Sequence, residues 1–162
     1  MRHEQRGFSL IELLIVVAII LIIAAIAIPN FMRSRIAANQ ASAIESLRSI
    51  TTAEVSYSTT YGSGFTGTLG VLGPPTSGQN VNSTAAGLLD DVLAAGYKSG
   101  YSFFYTPTDF NVSTNSYYGY TVLANPASYG ASGTVYYYAD QSGVIRGNAA
   151  STAGATDTAV AD

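Results

Sequence analysis

Residues 7–29 read GFSLIELLIVVAIILIIAAIAIP, an apolar run in which one carboxylate, Glu12, is the single charged side chain. Residues 13–28 contain only Leu, Ile, Val and Ala, the composition of a membrane-spanning helix. Their twelve Leu, Ile and Val side chains favour insertion into a bilayer by about 4 to 7 kcal/mol, whereas a glutamate near the end of the span costs about 3 kcal/mol or less. The helix is therefore expected to insert, and Glu12 needs an explanation beyond anchoring.

The segment Gly7-Phe8-Ser9-Leu10-Ile11-Glu12, between a short basic leader and the apolar run, resembles the class III signal of type IV pilins and pseudopilins. In that family a membrane-embedded prepilin peptidase cuts after the glycine and methylates the new amino terminus. The resemblance implies cleavage between Gly7 and Phe8, N-methylation of Phe8, and a role for Glu12 in methylation and assembly. It covers roughly the first third of the chain.

The position of Glu12 also suggests a physical role. Cleavage would leave a cationic amine on Phe8, four residues before Glu12, at a helix start that already favours negative charge. In a filament core of packed helices both charges would be buried, and a buried charge needs a partner, which the amine of a neighbouring subunit can supply. The alternative is that Glu12 only caps a membrane anchor at the interface.

A second alternative for the amino terminus is a cleavable secretory signal peptide. Such a peptide has an apolar core of about 7 to 15 residues followed by a small-residue cleavage site, which Ala25 and Ala27 could imitate. The apolar run here is longer and contains an acid near its start. Arg2 and Arg6 of the leader favour a cytoplasmic leader, and hence a single-pass inner-membrane protein with a periplasmic carboxy-terminal part.

The chain is predicted to form an α+β protein, in which a long helix packs by its second half on a four-stranded antiparallel sheet. The first half of the helix, from Phe8, is apolar all round. The second half has one stripe that can cover a sheet, formed by Ala43, Leu47, Ile50, Tyr57 and Tyr61. Glu54 falls in the same stripe without an evident partner.

Five segments follow from these patterns. We expect a leader at 1–7, a hydrophobic transmembrane and assembly helix at 8–30, an amphipathic second half of the helix at 31–61, a globular part at 62–147 and a disordered tail at 148–162.

The globular part is expected to begin with a loop rich in glycine and proline. A short helix carrying Leu88, Leu89, Val92 and Leu93 follows, with Ser83 or Thr84 as its cap and Gly96 as its stop. Strands are predicted at 101–105, 118–124, 134–139 and 144–146.

Composition excludes several functions. The chain has no cysteine, so a disulfide, a thiol nucleophile and a thiolate metal site are impossible, and it departs from pilins that close a loop with a disulfide. Its one histidine, His3, lies in the leader, its net charge is −3, and it has no basic patch for nucleic acid. Asp140 is the one acid in the nearest candidate calcium turn. We therefore expect no enzyme activity, no cofactor and no metal.

The predicted function is that of a structural subunit of a type IV pilus. Adhesion, motility, DNA uptake, secretion and electron transfer stay open as the use of the filament. Its expected partners are copies of itself, the prepilin peptidase, the membrane, and the inner-membrane pilus or type II secretion machinery. After assembly it would lie in an extracellular filament. The alternatives are a type II secretion pseudopilin or minor pilin, and an anchored periplasmic domain that does not polymerise.

Pro29 is the last residue of this apolar run and lies inside the predicted long helix. A proline costs a helix interior about 3 kcal/mol and removes one backbone hydrogen bond, so a kink or a locally melted turn is expected there. We expect a nearly continuous helix in the isolated subunit and a helix break around residues 21–30 in the filament.

Overall fold

The structure, a computed structural model that describes residues 8–160, has one long helix followed by an antiparallel sheet. The α+β prediction is therefore confirmed. The chain divides into two compact units, one ending at Arg35 and one beginning at Ile36. The elements are α1 (Leu10–Tyr61), a 3-10 helix (Leu69–Leu72), α2 (Asp91–Ala94), β1 (Tyr97–Lys98), β2 (Tyr101–Asn111), β3 (Ser116–Pro126), β4 (Tyr136–Asp140), β5 (Arg146–Asn148) and β6 (Thr158–Ala159).

The buried face of α1 matches the predicted stripe. Apolar and small side chains recur at helical spacing from residue 43 onward, which puts them on one side of the helix. Ala43, Leu47 and Ile50 are completely buried, and Tyr61 at the end of the helix is half-buried. The buried residues of α1 are Ala43, Ser46, Leu47, Ile50, Ala53, Glu54 and Tyr57.

The sheet has six strands rather than the predicted four. Their spatial order is the order of the chain, and every neighbouring pair is antiparallel. The two additional strands, β1 and β6, lie at the edges and have two residues each. Two residues are too few to show the alternation of polar and apolar side chains by which a strand is recognised in a sequence.

The hairpin of β2 and β3 is longer than predicted, since its register runs from Tyr101 opposite Pro126 to Asn111 opposite Ser116. Its buried side chains alternate along both strands, as expected for a sheet with one face on the core. In β4, Tyr137 is buried while Tyr136 and Tyr138 are half-buried. The aromatic strands therefore divide their tyrosines between the core and the outer face.

The short helix α2 begins later than predicted and has a different cap. Ser83 and Thr84 lie in a tight turn in which Asn82 and Ala85 exchange two backbone hydrogen bonds. The cap is Asp90, whose carboxylate accepts a hydrogen bond of 2.9 Å from the Leu93 N–H. Asp90 also contacts Lys98 at 2.7 Å, and these contacts lower the pKa of its carboxyl. Gly96 follows the helix with a φ of +81°, as predicted.

The segment 148–160, where the sequence predicts a disordered tail, contains strand β6 and several hydrogen bonds. Asp157 organises it, since its carboxylate accepts hydrogen bonds from Asn148 Nδ2 at 2.9 Å and from the Gly154 N–H at 2.8 Å. Its backbone carbonyl accepts from the Arg146 guanidinium at 2.9 Å. Hydrogen bonds to one aspartate hold a segment that has no apolar periodicity, so the pattern of apolar residues did not reveal it.

Glu54 is completely buried on the core side of α1. Its carboxylate accepts hydrogen bonds from the backbone N–H of Thr66 at 3.0 Å and from the Thr66 hydroxyl. The hydroxyl of Tyr105 donates to the carbonyl of Thr66 at 2.9 Å. Burial raises the pKa of Glu54, and the hydrogen bonds from Thr66 act in the opposite direction. The partner that the sequence did not reveal is thus the loop that follows α1.

Candidate assembly site

The N-terminal unit begins its helix with a hydrogen bond that sequence analysis missed. Ser9 directly precedes α1, and Glu12 is the third residue of the helix. The Ser9 N–H donates to Glu12 Oε2 at 2.9 Å. This is the bond that the acidic residue contributes to a capping box, and the spacing Ser-x-x-Glu is its sequence signature. Glu12 therefore has a local structural role, and its role in assembly stays a prediction.

The carboxylate of Glu12 keeps one oxygen available. Glu12 is exposed, and Oε1 has no hydrogen bond among residues 8–160. The unpaired N–H groups at the start of a helix favour a negative charge at this position. A carboxylate held by one oxygen and open at the other can accept a donor from a second molecule.

The surface around Glu12 is apolar and exposed. Phe8 is 76% exposed and Leu10 is 81% exposed. The large apolar side chains that follow are also exposed, as far as Met32. An exposed apolar surface of this extent marks a contact with lipid or with other protein chains. By length and composition, α1 is the one helix within the described residues that could cross a membrane.

Pro29 lies inside α1, which continues through it without a break. A melted turn at Pro29 is therefore absent from the single chain, as expected for the isolated subunit. The unwinding expected around residues 21–30 concerns the filament and stays a prediction.

Gly7, the other half of the predicted cleavage site, and His3 lie outside the described residues. Asp140, the acid of the candidate calcium turn, accepts a hydrogen bond from the Ser142 N–H at 2.9 Å. Within residues 8–160, no three His, Cys, Asp or Glu side chains come together in a way that could hold a metal ion.

Comparisons with known proteins concern the same N-terminal segment. Residues 2–28 match the family model of the prokaryotic N-terminal methylation motif. The chain is 54% identical over 54 residues to the type IV major pilin protein PilA of Myxococcus xanthus (strain DK1622). That match covers 33% of this chain and only 24% of the Myxococcus protein. A search among solved structures found no match.

Proposed function

We propose that this chain is a type IV pilin and a structural subunit of a type IV pilus, because residues 2–28 match the N-terminal methylation motif and 33% of the chain is similar to a major pilin. The observation that carries the proposal is the exposed apolar helix with Glu12 in its first turn. Copies of such a helix can bury their apolar surfaces against one another after leaving the membrane.

Processing comes first in this proposal. A prepilin peptidase of the inner membrane cuts between Gly7 and Phe8 and methylates the new amino group on Phe8. Intact mass and N-terminal sequencing of the cell-envelope protein should therefore give a chain that begins with N-methylated Phe8. A chain that begins after Ala27, or an uncut chain that begins at Met1, would contradict this step.

Polymerisation follows, and Glu12 is the residue that pairs one subunit with its neighbour. The amine freed on Phe8 of one subunit pairs with the Glu12 carboxylate of its neighbour, because neither charge can be buried alone in a core of packed helices. Oε1 of Glu12 supports this role, since the Ser9 N–H occupies only Oε2. An anchored domain that never polymerises would need no such carboxylate.

Two substitutions separate the assembly role of Glu12 from its capping role. Glu12→Gln keeps a side chain that can cap the helix but removes the charge, whereas Glu12→Ala removes both. Both variants should be cleaved at Gly7 and should fail to form filaments, as judged by electron microscopy of sheared cells. Glu45→Gln, which changes an exposed acid of α1 in the second unit, is the matched control and should assemble normally.

Two outcomes of this experiment would contradict the proposal. If Glu12→Gln forms filaments as wild type does while Glu12→Ala does not, Glu12 acts as a cap and the charge-pairing mechanism is wrong. If both variants assemble normally, the chain does not polymerise in the proposed way.

The kind of filament that this subunit forms, and whether it is the major component, can be tested directly. We propose that the processed protein is anchored in the inner membrane with its globular part in the periplasm, and is then carried by the pilus assembly machinery into an extracellular filament. Mass spectrometry of purified surface filaments should find this chain as their bulk component. A trace component would favour a minor pilin, and a filament confined to the periplasm would favour a pseudopilin.

A further inference from the structure

A cleft of about 430 Å³ opens where the end of α1, the loop after it and the tip of the β2–β3 hairpin meet. Four aromatic side chains line it, and small polar residues complete the wall. No charged residue lines the cleft within the described part of the chain. The aromatic residues are Tyr57, Tyr61, Phe65 and Tyr117, and the polar ones include Ser63 and Asn115.

The aromatic rings of the cleft are held in place by neighbours. The ring of Tyr57 lies 4.9 Å from that of Tyr61, and the Tyr57 hydroxyl donates to the carbonyl of Ser83 at 2.8 Å. Phe65 packs edge-on against Tyr120 at 4.9 Å. These contacts fix the orientation of the rings, so little conformational entropy is lost when a ligand packs against them.

The backbone of the cleft is also fixed. The Phe65 N–H donates to the carbonyl of Tyr117 at 2.8 Å, which joins the loop after α1 to β3. Gly64 takes a φ of +75°, and a Cβ there would overlap the Tyr117 carbonyl oxygen. Thr66, the residue after Phe65, donates its N–H to the buried carboxylate of Glu54. The cleft is therefore formed in the absence of a ligand, as small-molecule sites usually are.

Polar groups at the rim are available to a ligand. The side chains of Ser63 and Asn115 are exposed and have no hydrogen bond among residues 8–160. The amide of Asn115 supplies both donors and an acceptor, and a hydroxyl such as that of Ser63 supplies one donor and accepts as well. These groups match a ligand that carries several hydroxyls at its edges.

We propose that this cleft binds a neutral saccharide. The face of a pyranose ring carries C–H bonds that pack against the negative faces of aromatic rings, while its hydroxyls reach the polar rim. An ionic ligand would find no opposite charge in the cleft, and a fully apolar ligand would leave the rim unpaired. The proposal goes beyond filament assembly and does not depend on it.

The test uses the full chain in dodecylphosphocholine micelles, because maltoside and glucoside detergents would themselves present sugar rings. Cellobiose and N,N′-diacetylchitobiose are titrated separately, and backbone amide signals are followed by NMR. Saturable shifts are expected at the cleft residues with at least one of the two, with a dissociation constant on the order of millimolar. Sorbitol, which has hydroxyls but no ring face, should produce no saturable shift.

Variants assign the binding to the cleft. Tyr61→Ala and Tyr117→Ala should each weaken binding by about tenfold. Asn115→Gly, which removes the amide and suits the positive φ of 52° at this exposed turn, should weaken it severalfold. The matched control is Tyr118→Ala, since Tyr118 follows Tyr117 on the same strand, is 53% exposed and points to the opposite side.

Three outcomes would overturn the proposal. The first is the absence of saturable shifts with both saccharides. The second is a response to sorbitol equal to that of the disaccharides, or an effect of Tyr118→Ala as large as that of Tyr117→Ala. The third is broadening of the cleft signals that depends on protein concentration and is unchanged by sugar, which would show that a second copy of the chain occupies the cleft.

Discussion

Replacement of Glu54 tests the buried contact that holds the loop after α1 onto the helix. Glu54→Ala removes the acceptor of two buried donors, the N–H and the hydroxyl of Thr66. Each unpaired buried donor costs about 1 to 3 kcal/mol, and the lost side-chain volume adds a cavity cost. Removal of a carboxylate that burial destabilises offsets part of this loss. We expect a net loss of about 3 kcal/mol in the free energy of unfolding.

Glu54→Gln should cost much less. Its amide oxygen can accept from the Thr66 N–H, and its amide nitrogen can donate to the Thr66 hydroxyl oxygen, so both groups of Thr66 stay paired. We expect a change of about 1 kcal/mol or less near neutral pH. The difference between the two variants measures the hydrogen bonds and the lost side-chain volume rather than the charge.

The charge of Glu54 makes the free energy of unfolding depend on pH. Burial raises its pKa above the ordinary value of 4.5, so the folded chain holds this proton more tightly than the unfolded chain does. The stability that this group contributes is therefore fully present below pH 4.5 and is lost as the pH rises through the raised pKa. Because glutamine has no proton to lose, wild type should lose stability relative to Glu54→Gln as the pH rises above 4.5.

The assay is urea unfolding of the micelle-bound chain, followed by the near-ultraviolet circular dichroism of its tyrosines. Glu45→Gln is the control, because Glu45 is an exposed acid on the same helix. Its Oε2 lies 3.7 Å from Arg48 Nη1, in an exposed ion pair. Glu45→Gln should change stability by about 0.5 kcal/mol or less at every pH. The reasoning is refuted if Glu54→Gln costs as much as Glu54→Ala, or if its difference from wild type does not vary with pH.

Three further predictions concern backbone geometry. Gly64→Ala should destabilise the globular part by about 2 kcal/mol or more, because of the positive φ and the overlap with the Tyr117 carbonyl; urea unfolding measures this, and Gly70→Ala, with open space around it, should be close to neutral. Asp90→Ala should cost about 1 kcal/mol through the lost helix cap, and an equal cost for the capping-competent Asp90→Ser would contradict that reason. Filaments of Pro29→Ala should keep the helix intact through residues 21–30 and extend less under force in optical tweezers. An unbroken helix in a wild-type cryo-EM filament map would rule out the role of Pro29.

Much of the N-terminal segment could be predicted because its structure depends on local rules. A long uninterrupted apolar run predicts the helix without any tertiary contact. The Ser-x-x-Glu spacing at Ser9 is the sequence signature of the capping bond that the structure shows. The central strands β2, β3 and β4 were also found, since a strand with one buried face alternates along the chain. Their ends were less well predicted, because Phe110 and Asn111 continue the ladder of β2 with exposed side chains.

The sequence by itself thus determined the long apolar helix, the position of Glu12 and the order of helix and sheet, because composition and periodicity act within a single element. Only the tertiary structure decided the partner of Glu54, the role of Asp157 and the aromatic cleft. Thr66 lies 12 residues from Glu54, and Tyr105, which bonds to Thr66, lies 39 residues further on. Buried polar groups must find partners wherever the fold brings donors and acceptors together, and no local pattern records which distant residue will be there.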